Sequence, residues 1–335
     1  MIRVLTRRID VGPIEPRGAS LSIAVDVFIP EGTANPDSVL LFCLPGGSMN
    51  RRYYDLSTAN GSDDESFSFA RQMAARGFIV ATVDHLGIGD SDGPADLYLL
   101  TSEAVAAANH HAVRQIRQEL REGRLDPGLP PCVALFCIGV GHSMGGLLTV
   151  IQQAHHDSHH AVALLGFGTR GLPEVLTAEE RALAADRSRW PADLPGLART
   201  RFEAPPPPRA AEGEDKANRD WYYGAGADPR GVQAIKPARD RMLPVPAMHS
   251  LMPDNVWPEA GQIRVPVFLA VGDRDITGPA HQIPAAFAGS PDLTLQVLPA
   301  TGHSHFLFPS RTRLYERFAA WVHTVAAQYP RSGNE

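Results

Sequence analysis

A serine placed between glycines is the feature of this sequence best suited to carry chemistry. The pentapeptide G-H-S-M-G at residues 141–145 follows an apolar run at residues 132–138 and precedes a second apolar stretch with helical character. Glycine has no side chain, so the backbone can close into a sharp, strained turn from which the hydroxyl of Ser143 projects. The N-terminus of the following helix favours negative charge at the same place. This strand-turn-helix context predicts that Ser143 is a nucleophile.

A serine hydroxyl is a weak nucleophile near neutral pH, so it needs a base to take its proton and a carboxylate to orient that base. Candidates for both roles lie in turns after apolar runs, where α/β sheets place their ligands. Asp273 and Asp275 follow the run at residues 265–271, and His303 and His305 follow the run at residues 293–298. The residues alone do not decide which aspartate is the acid or which histidine is the base.

The elements that must position these groups alternate along the chain. Residues 21–29 alternate apolar and polar side chains, which predicts an antiparallel strand with one solvated face, and residues 39–44 are continuously apolar, as in a strand covered on both faces. Strands separated by helices predict parallel βαβ units and an α/β fold. The further predicted strands are residues 78–83, 132–138, 161–165, 265–271 and 293–298. Helices are predicted from a Ser62–Glu65 capping box to Gly77, at residues 103–122, from Gly145, and at the end of the chain. The closing helix has one apolar face, formed by Leu314, Phe318, Trp321, Val322 and Val325.

The order and context of these features resemble the α/β-hydrolase superfamily. Residues 84–91 are similar to the family's D-x-x-G-x-G-x-S turn, although Leu86 stands where arginine is common. The resemblance covers residues 21–168 and 265–325. It implies a mostly parallel central sheet flanked by helices, with an inserted cap.

The resemblance also implies the chain order serine, acid, histidine. The turn at residues 272–275 is similar to the family's G-x-x-D turn and places the acid at Asp275, with Asp273 as the alternative. The G-H pair at residues 302–303 places the base at His303, with His305 as the alternative.

Acyl transfer also needs N–H donors aimed at the oxyanion of the tetrahedral intermediate. One expected donor is the backbone N–H of Met144. The other is expected from the loop after residues 39–44, which resembles the family's H-G-G loop with Pro45 in place of histidine. Gly47 is the preferred donor there and Ser48 the next.

The strand-helix rhythm stops near Gly166 and resumes at Val265, which predicts two parts. Residues 1–168 and 263–335 form the core domain, and residues 169–262 form an inserted cap with a flexible proline-rich section. Aromatic residues in the cap favour a largely apolar substrate pocket. The candidate substrate contacts are Ser48, Arg51, Tyr53 and His142 from the core, and Trp221, Tyr222, Met248 and Met252 from the cap. A solvated Arg51–Arg52 pair and a small core within the cap are the alternative interpretations.

Composition narrows the classes of partner. A net charge of -6 gives no basic surface for nucleic acid, and no run is long enough to span a bilayer. Three cysteines in or beside apolar runs favour reduced thiols in a cytoplasmic protein. The histidine-rich residues 155–160 have the composition of a metal site, but they lie away from the edge of the sheet that carries the serine, so we expect an exposed polar connection and no metal. The sequence has no nucleotide-binding fingerprint and implies no cofactor.

These features predict a metal-independent serine hydrolase that cleaves a small, largely apolar carboxylic ester through an acyl-enzyme on Ser143. A thioesterase, lactonase, amidase or C–C bond hydrolase could use the same groups. A ligand receptor on this fold, with slow or absent turnover, is the alternative from another class. A homo-oligomer is compatible with the sequence.

Overall fold

One eight-stranded sheet organises the computed structural model, which describes residues 2–14, 18–30, 38–58, 64–203 and 226–329. The strands are β1 (Ile2–Gly12), β2 (Leu21–Pro30), β3 (Val39–Leu44), β4 (Ile79–Val83), β5 (Phe136–His142), β6 (Ala161–Leu165), β7 (Val267–Gly272) and β8 (Leu293–Leu298). Their order in the sheet is β1-β2-β4-β3-β5-β6-β7-β8. β1 pairs with β2, and β2 with β4, in antiparallel fashion, and the other neighbours are parallel.

Helices cover both faces of this sheet. Alternate residues of β3 point to opposite faces, so Leu40 and Phe42 pack with the helices at residues 102–121 and 144–156. Leu41 and Cys43 pack with the helices at residues 69–74 and 311–328. Because both faces are covered, every residue of β3, β4, β5, β6 and β7 is buried. The described helices are α1 (Phe69–Ala74), α2 (Ser102–Arg121), α3 (Met144–His156), α4 (Ala178–Ala184), α5 (Trp190–Glu203), α6 (Pro229–Ala234), α7 (Pro244–Leu251), α8 (Trp257–Ala260) and α9 (Arg311–Gln328). None of these helices combines the length and apolarity needed to cross a membrane.

The structure corrects one prediction at the antiparallel end of the sheet. The solvated face expected for β2 belongs to β1, whose residues alternate in exposure. Most positions of β2 are buried because Val25 and Val27 pack in the cluster on one face of the sheet and Phe28 packs in the cluster on the other. β1 itself was not predicted, since its arginines interrupt the apolar pattern. Ser62 of the predicted capping box lies outside the described residues, and Ser68 caps α1 by accepting from the N–H of Arg71.

The strand before the serine was predicted about four residues too early. β5 is Phe136–His142, and Val133, which the prediction included, is 67% exposed. Hydropathy favoured residues 132–138 because two glycines at 139 and 141 look like the start of a turn. Pairing with β3, which matches Val39 to Phe136, sets the actual register.

Helices α4 to α8 lie between β6 and β7, in the region predicted as the cap. Part of this region has a hydrophobic cluster of its own. Its buried members are Leu176, Leu183, Trp190, Leu194, Ala198, Val245, Met248 and Met252. The proline-rich residues 205–208 lie outside the described ranges, and the division into core domain and cap stays a prediction. We use the word cap below for residues 169–262.

Candidate active site

The turn between β5 and α3 holds Ser143 in a strained conformation. Its φ of 54° and ψ of -120° lie in a region that side chains other than glycine rarely adopt. The N–H of Ser143 donates to the carbonyl of Leu165 at 2.9 Å, which ties the turn to the end of β6. The side chain therefore stands at the carboxyl edge of the sheet, as the sequence predicted.

Close backbone approach explains the two flanking glycines. A Cβ at Gly145 would lie 2.1 Å from the carbonyl oxygen of Leu44, and a Cβ at Gly141 would lie 2.4 Å from the carbonyl oxygen of Gly145. Either contact is too short for any side chain, so the turn requires glycine at both positions.

The structure brings Ser143, His303 and Asp275 together. Nε2 of His303 lies 2.8 Å from Oγ of Ser143, and Nδ1 of His303 lies 2.7 Å from Oδ1 of Asp275. The side chain of His303 is 4% exposed and that of Asp275 is fully buried. A carboxylate only accepts hydrogen bonds, so Nδ1 of His303 carries a hydrogen. A histidine ring with that single hydrogen accepts at Nε2, which here faces the serine hydroxyl.

The two alternative residues have different partners. Asp273 is exposed and accepts from the N–H groups of Ala300 and Thr301 at 2.9 and 3.0 Å, so it binds the loop that leads to His303. His305 is buried and donates from Nε2 to Oδ2 of Asp275 at 2.9 Å. Asp275 is thus hydrogen-bonded to both histidines.

Two pKa shifts determine the charges of Asp275 and His142 next to His303. Burial alone would raise the pKa of Asp275, but His303 and His305 beside it hold that pKa well below its usual value, so the carboxyl is ionised. Burial lowers the pKa of His142 well below its usual value, and the nearby His303 and His305 lower it further. His142 is therefore neutral, and its Nε2 donates to the carbonyl oxygen of His303 at 2.9 Å.

We call residues 45–50, which follow β3, the glycine loop, and this loop lies beside the serine. A Cβ at Gly46 would lie 3.2 Å from Cβ of Ser143, and a Cβ at Gly47 would lie 3.8 Å from Sδ of Met144. Met144 is the first residue of α3, and the first N–H groups of a helix have no acceptor within it. Met144 therefore directly follows Ser143, and Gly47 lies beside the Met144 side chain. Their role as oxyanion donors stays a prediction.

A cavity of about 350 Å³ opens over Ser143 and His303, between the sheet edge and the cap. Gly47, Met144 and His142 also line it. Most of its remaining wall is apolar. Sequence reasoning did not identify these side chains, which include Phe167, Leu172, Val175, Phe202, Met242 and Leu251.

Several predicted substrate contacts lie elsewhere. Arg51 is buried and forms ion pairs with Asp26, Asp84 and Asp90, so it is neither a pocket arginine nor a solvated one. Tyr53 is also buried, and its ring packs on His142 at 4.6 Å between ring centres instead of lining the cavity.

The predicted contacts Met248, Met252 and Ser48 are likewise not found in the cavity wall. Met248 and Met252 are fully buried in the cluster within the cap and do not line the cavity, which matches the alternative interpretation of them. Trp221 and Tyr222 lie outside the described residues. Ser48 does not line the cavity either, and its φ is +59°.

The histidine-rich segment is only partly exposed, which corrects the prediction. His155 is exposed, but His159 is buried because its ring packs over Gly139, where a Cβ would lie 2.6 Å from it. Among the residues that the structure describes, no group of three or more His, Cys, Asp or Glu could hold a metal ion. Cys43, Cys132 and Cys137 are buried and unpaired, as predicted. The cytoplasmic location stays a prediction.

The mostly parallel sheet with helices on both faces is that of an α/β hydrolase. Residues 41–314 match the model of the alpha/beta hydrolase family, so the chain belongs to this family. A comparison with curated proteins found no match in sequence.

Solved structures share this fold at low sequence identity. An esterase from Rhodococcus sp. ECU1013 is 18% identical with a TM-score of 0.59, and the match covers 97% of this chain and 99% of that one. Proline iminopeptidase from Mycobacterium smegmatis is 17% identical, with the same TM-score of 0.59 and the same coverage of 97% and 99%. The enol-lactonase from Burkholderia xenovorans LB400 is 17% identical with a TM-score of 0.53, and the match covers 92% and 97%.

Proposed function

We propose that this protein is a serine hydrolase that cleaves a carboxylic ester of a small, largely apolar substrate. The observation that carries the proposal is the 2.8 Å contact between Oγ of Ser143 and Nε2 of His303, with the buried, ionised Asp275 on the other side of the ring. This arrangement supplies a nucleophile, a base and a group that stabilises the charged base.

The proposed groups account for each step of the reaction. Oγ of Ser143 attacks the ester carbonyl while His303 takes its proton, and the N–H groups of Gly47 and Met144 bind the oxyanion. His303 returns the proton to the leaving alcohol, which releases it and leaves an acyl-enzyme. Water attacks this ester in turn, with His303 again as the base, and Ser143 recovers its proton as the acid leaves.

The charges around the cavity support an uncharged substrate. Arg201 reaches the cavity, but its Nη1 is bound to both carboxylate oxygens of Glu180 at 2.8 and 2.7 Å. Burial would raise the pKa of Glu180, but the N–H of Thr177 and the guanidinium of Arg201 lower it below its usual value. The pair is thus ionised and compensated, and it leaves no net charge for a substrate carboxylate.

An ester panel with a covalent probe tests the proposal. We expect turnover of p-nitrophenyl esters and labelling by a fluorophosphonate, because both need a nucleophilic serine next to an oxyanion site. The related structures include an esterase, an iminopeptidase and an enol-lactonase, so thioesters, lactones and amides belong in the panel. A protein that shows neither turnover nor labelling is a binding protein, and the proposal is then wrong.

Three methionines of the cap separate substrate contact from packing. Met242 lines the cavity, whereas Met248 and Met252 are buried in the cluster within the cap. Met242→Ala should change the ratio of kcat/KM between short and long acyl esters by about tenfold, because it removes apolar contact from the cavity wall. Met248→Ala and Met252→Ala should instead lower the free energy of unfolding by about 2 to 5 kcal/mol.

Denaturant unfolding and acyl-chain profiles of the three variants provide the measurement. Each methionine serves as a control for the others, since the side chain removed is the same. If Met242→Ala keeps the wild-type acyl preference, the cap wall at this point does not select the substrate.

A further inference from the structure

A short segment of the cap is hydrogen-bonded to the loop that carries Gly47. We call residues 237–240 the strap. The N–H of Asp240 donates to the carbonyl oxygen of Ser48 at 2.9 Å, and the N–H of Asn50 donates to the carbonyl oxygen of Ala238 at 2.8 Å. Between these bonds Met49 and Arg239 form an antiparallel bridge. The strap therefore pairs with the glycine loop as a very short strand.

Side chains reinforce this pairing. Oδ2 of Asp240 accepts from Nδ2 of Asn50 and from the N–H of Gly89, both at 3.2 Å. Nδ2 of Asn50 also donates to the carbonyl oxygen of Pro237 at 3.3 Å, and Asn50 is 8% exposed. One carboxylate of the cap thus binds both the glycine loop and the turn after β4.

The glycine loop needs such support because Ser48 has a φ of +59°. A residue with a side chain adopts this left-handed conformation only when its surroundings hold it there. The strap binds the carbonyl of Ser48 and the N–H of Asn50, on the side of the strained residue opposite to Gly47. The side-chain bonds of Asp240 to Asn50 and Gly89 hold the strap in the position that these backbone bonds need. Loss of the side-chain bonds would weaken the backbone bonds, let Ser48 relax and turn the peptide that precedes it.

The strap also leads directly into the cavity. Met242 lies two residues beyond Asp240 and lines the cavity wall. Its Sδ would lie 3.8 Å from a Cβ at Gly47, the same distance as Sδ of Met144. One continuous segment therefore contacts both the substrate space and the loop with the preferred oxyanion donor.

From this geometry we infer that Asp240 and Asn50 are positioning residues that hold the N–H of Gly47 toward the oxyanion through the strap. The cap then contributes to kcat as well as to substrate binding. This inference rests on the proposed function, since it concerns the oxyanion site of the same reaction.

Asp240→Ala tests the inference. Loss of one oxyanion donor typically costs about 10² to 10³ in kcat, so a displaced donor should cost about 10-fold or more with KM nearly unchanged. A trifluoromethyl ketone matched to the best ester adds Ser143 and forms an oxyanion, so its affinity should fall by a similar factor. The corresponding methyl ketone, as a ground-state ligand, should bind as before. Asp240→Asn keeps one acceptor oxygen and should recover most of the activity.

Two further variants complete the design. Arg241→Ala changes the exposed neighbour, whose backbone N–H to Asp240 is retained, and should keep wild-type kcat. Asn50→Asp keeps the oxygen that caps the N–H of Arg52 but places a carboxylate beside Asp240, so it should reproduce the Asp240→Ala defect. If Asp240→Ala does not fold, Asn50→Asp decides.

The outcomes are distinguishable. An active wild type with unchanged kcat and ketone affinities in Asp240→Ala and Asn50→Asp overturns the role of the strap alone. If the affinities of both ketones fall equally, with a raised KM and a lowered melting temperature, Asp240 has a general structural role. That result also overturns the role of the strap. A wild type that hydrolyses no member of the panel overturns the proposed function, and this inference with it.

Discussion

Ser143→Ala is expected to lower kcat by at least about 10³-fold while the chain folds normally. Ser143 occupies the strand-to-helix turn, and its Oγ lies 2.8 Å from Nε2 of His303. Alanine removes only that hydroxyl, and it meets the same backbone constraint at a φ of 54° that serine already tolerates. Steady-state kinetics on the best ester and a thermal melt of both proteins provide the measurement.

Covalent labelling gives this prediction its control. A fluorophosphonate should add its mass to Ser143 in the wild type and to no residue in Ser143→Ala. Ser250→Ala removes another hydroxyl of the same cavity, one that donates to the carbonyl oxygen of Pro246, and it should keep the label. A label that persists in Ser143→Ala, or activity that survives there, means that another residue is the nucleophile.

Local motifs predicted the fold class and the residues that meet at the sheet edge because their physical causes are themselves local. The turn at Ser143 requires glycine at 141 and 145, and the parallel strands then bring their carboxyl-end turns together. Asp275 and His303 each follow a buried strand directly. Neither placement depends on a detail of side-chain packing far along the chain.

The side chains around the cavity could not be predicted in this way. Arg51 is adjacent to the glycine loop in sequence, but its guanidinium forms ion pairs with Asp26 and Asp84. Only the pairing of β2 with β4 brings those two carboxylates together. Met242 and Met248 are equally apolar and six positions apart. Met242 precedes α7 and lines the cavity, whereas Met248 lies within α7 and packs in the cluster within the cap. Hydropathy contains no signal for either outcome.

His303→Ala is expected to lower kcat by at least about 10³-fold, whereas His305→Gln should keep kcat within about tenfold of the wild type. The two histidines share Asp275, but Nε2 of His303 is bonded to Oγ of Ser143 while Nε2 of His305 is bonded to Oδ2 of Asp275. The side-chain amide of glutamine can donate one N–H to that carboxylate oxygen, so the second substitution preserves the donor and removes only the imidazole.

The same pair of variants can reverse the assignment of the base. Kinetics and melting temperatures of both should be measured with the same ester, together with His305→Leu, which removes the N–H donor to Asp275 and should therefore be less active than His305→Gln. Because His305 is fully buried, a lowered melting temperature in His305→Leu is expected and the comparison uses kcat of the folded fraction. If His305→Gln loses as much activity as Ser143→Ala while His303→Ala remains active, His305 is the base. His303 then serves only to position the hydroxyl of Ser143.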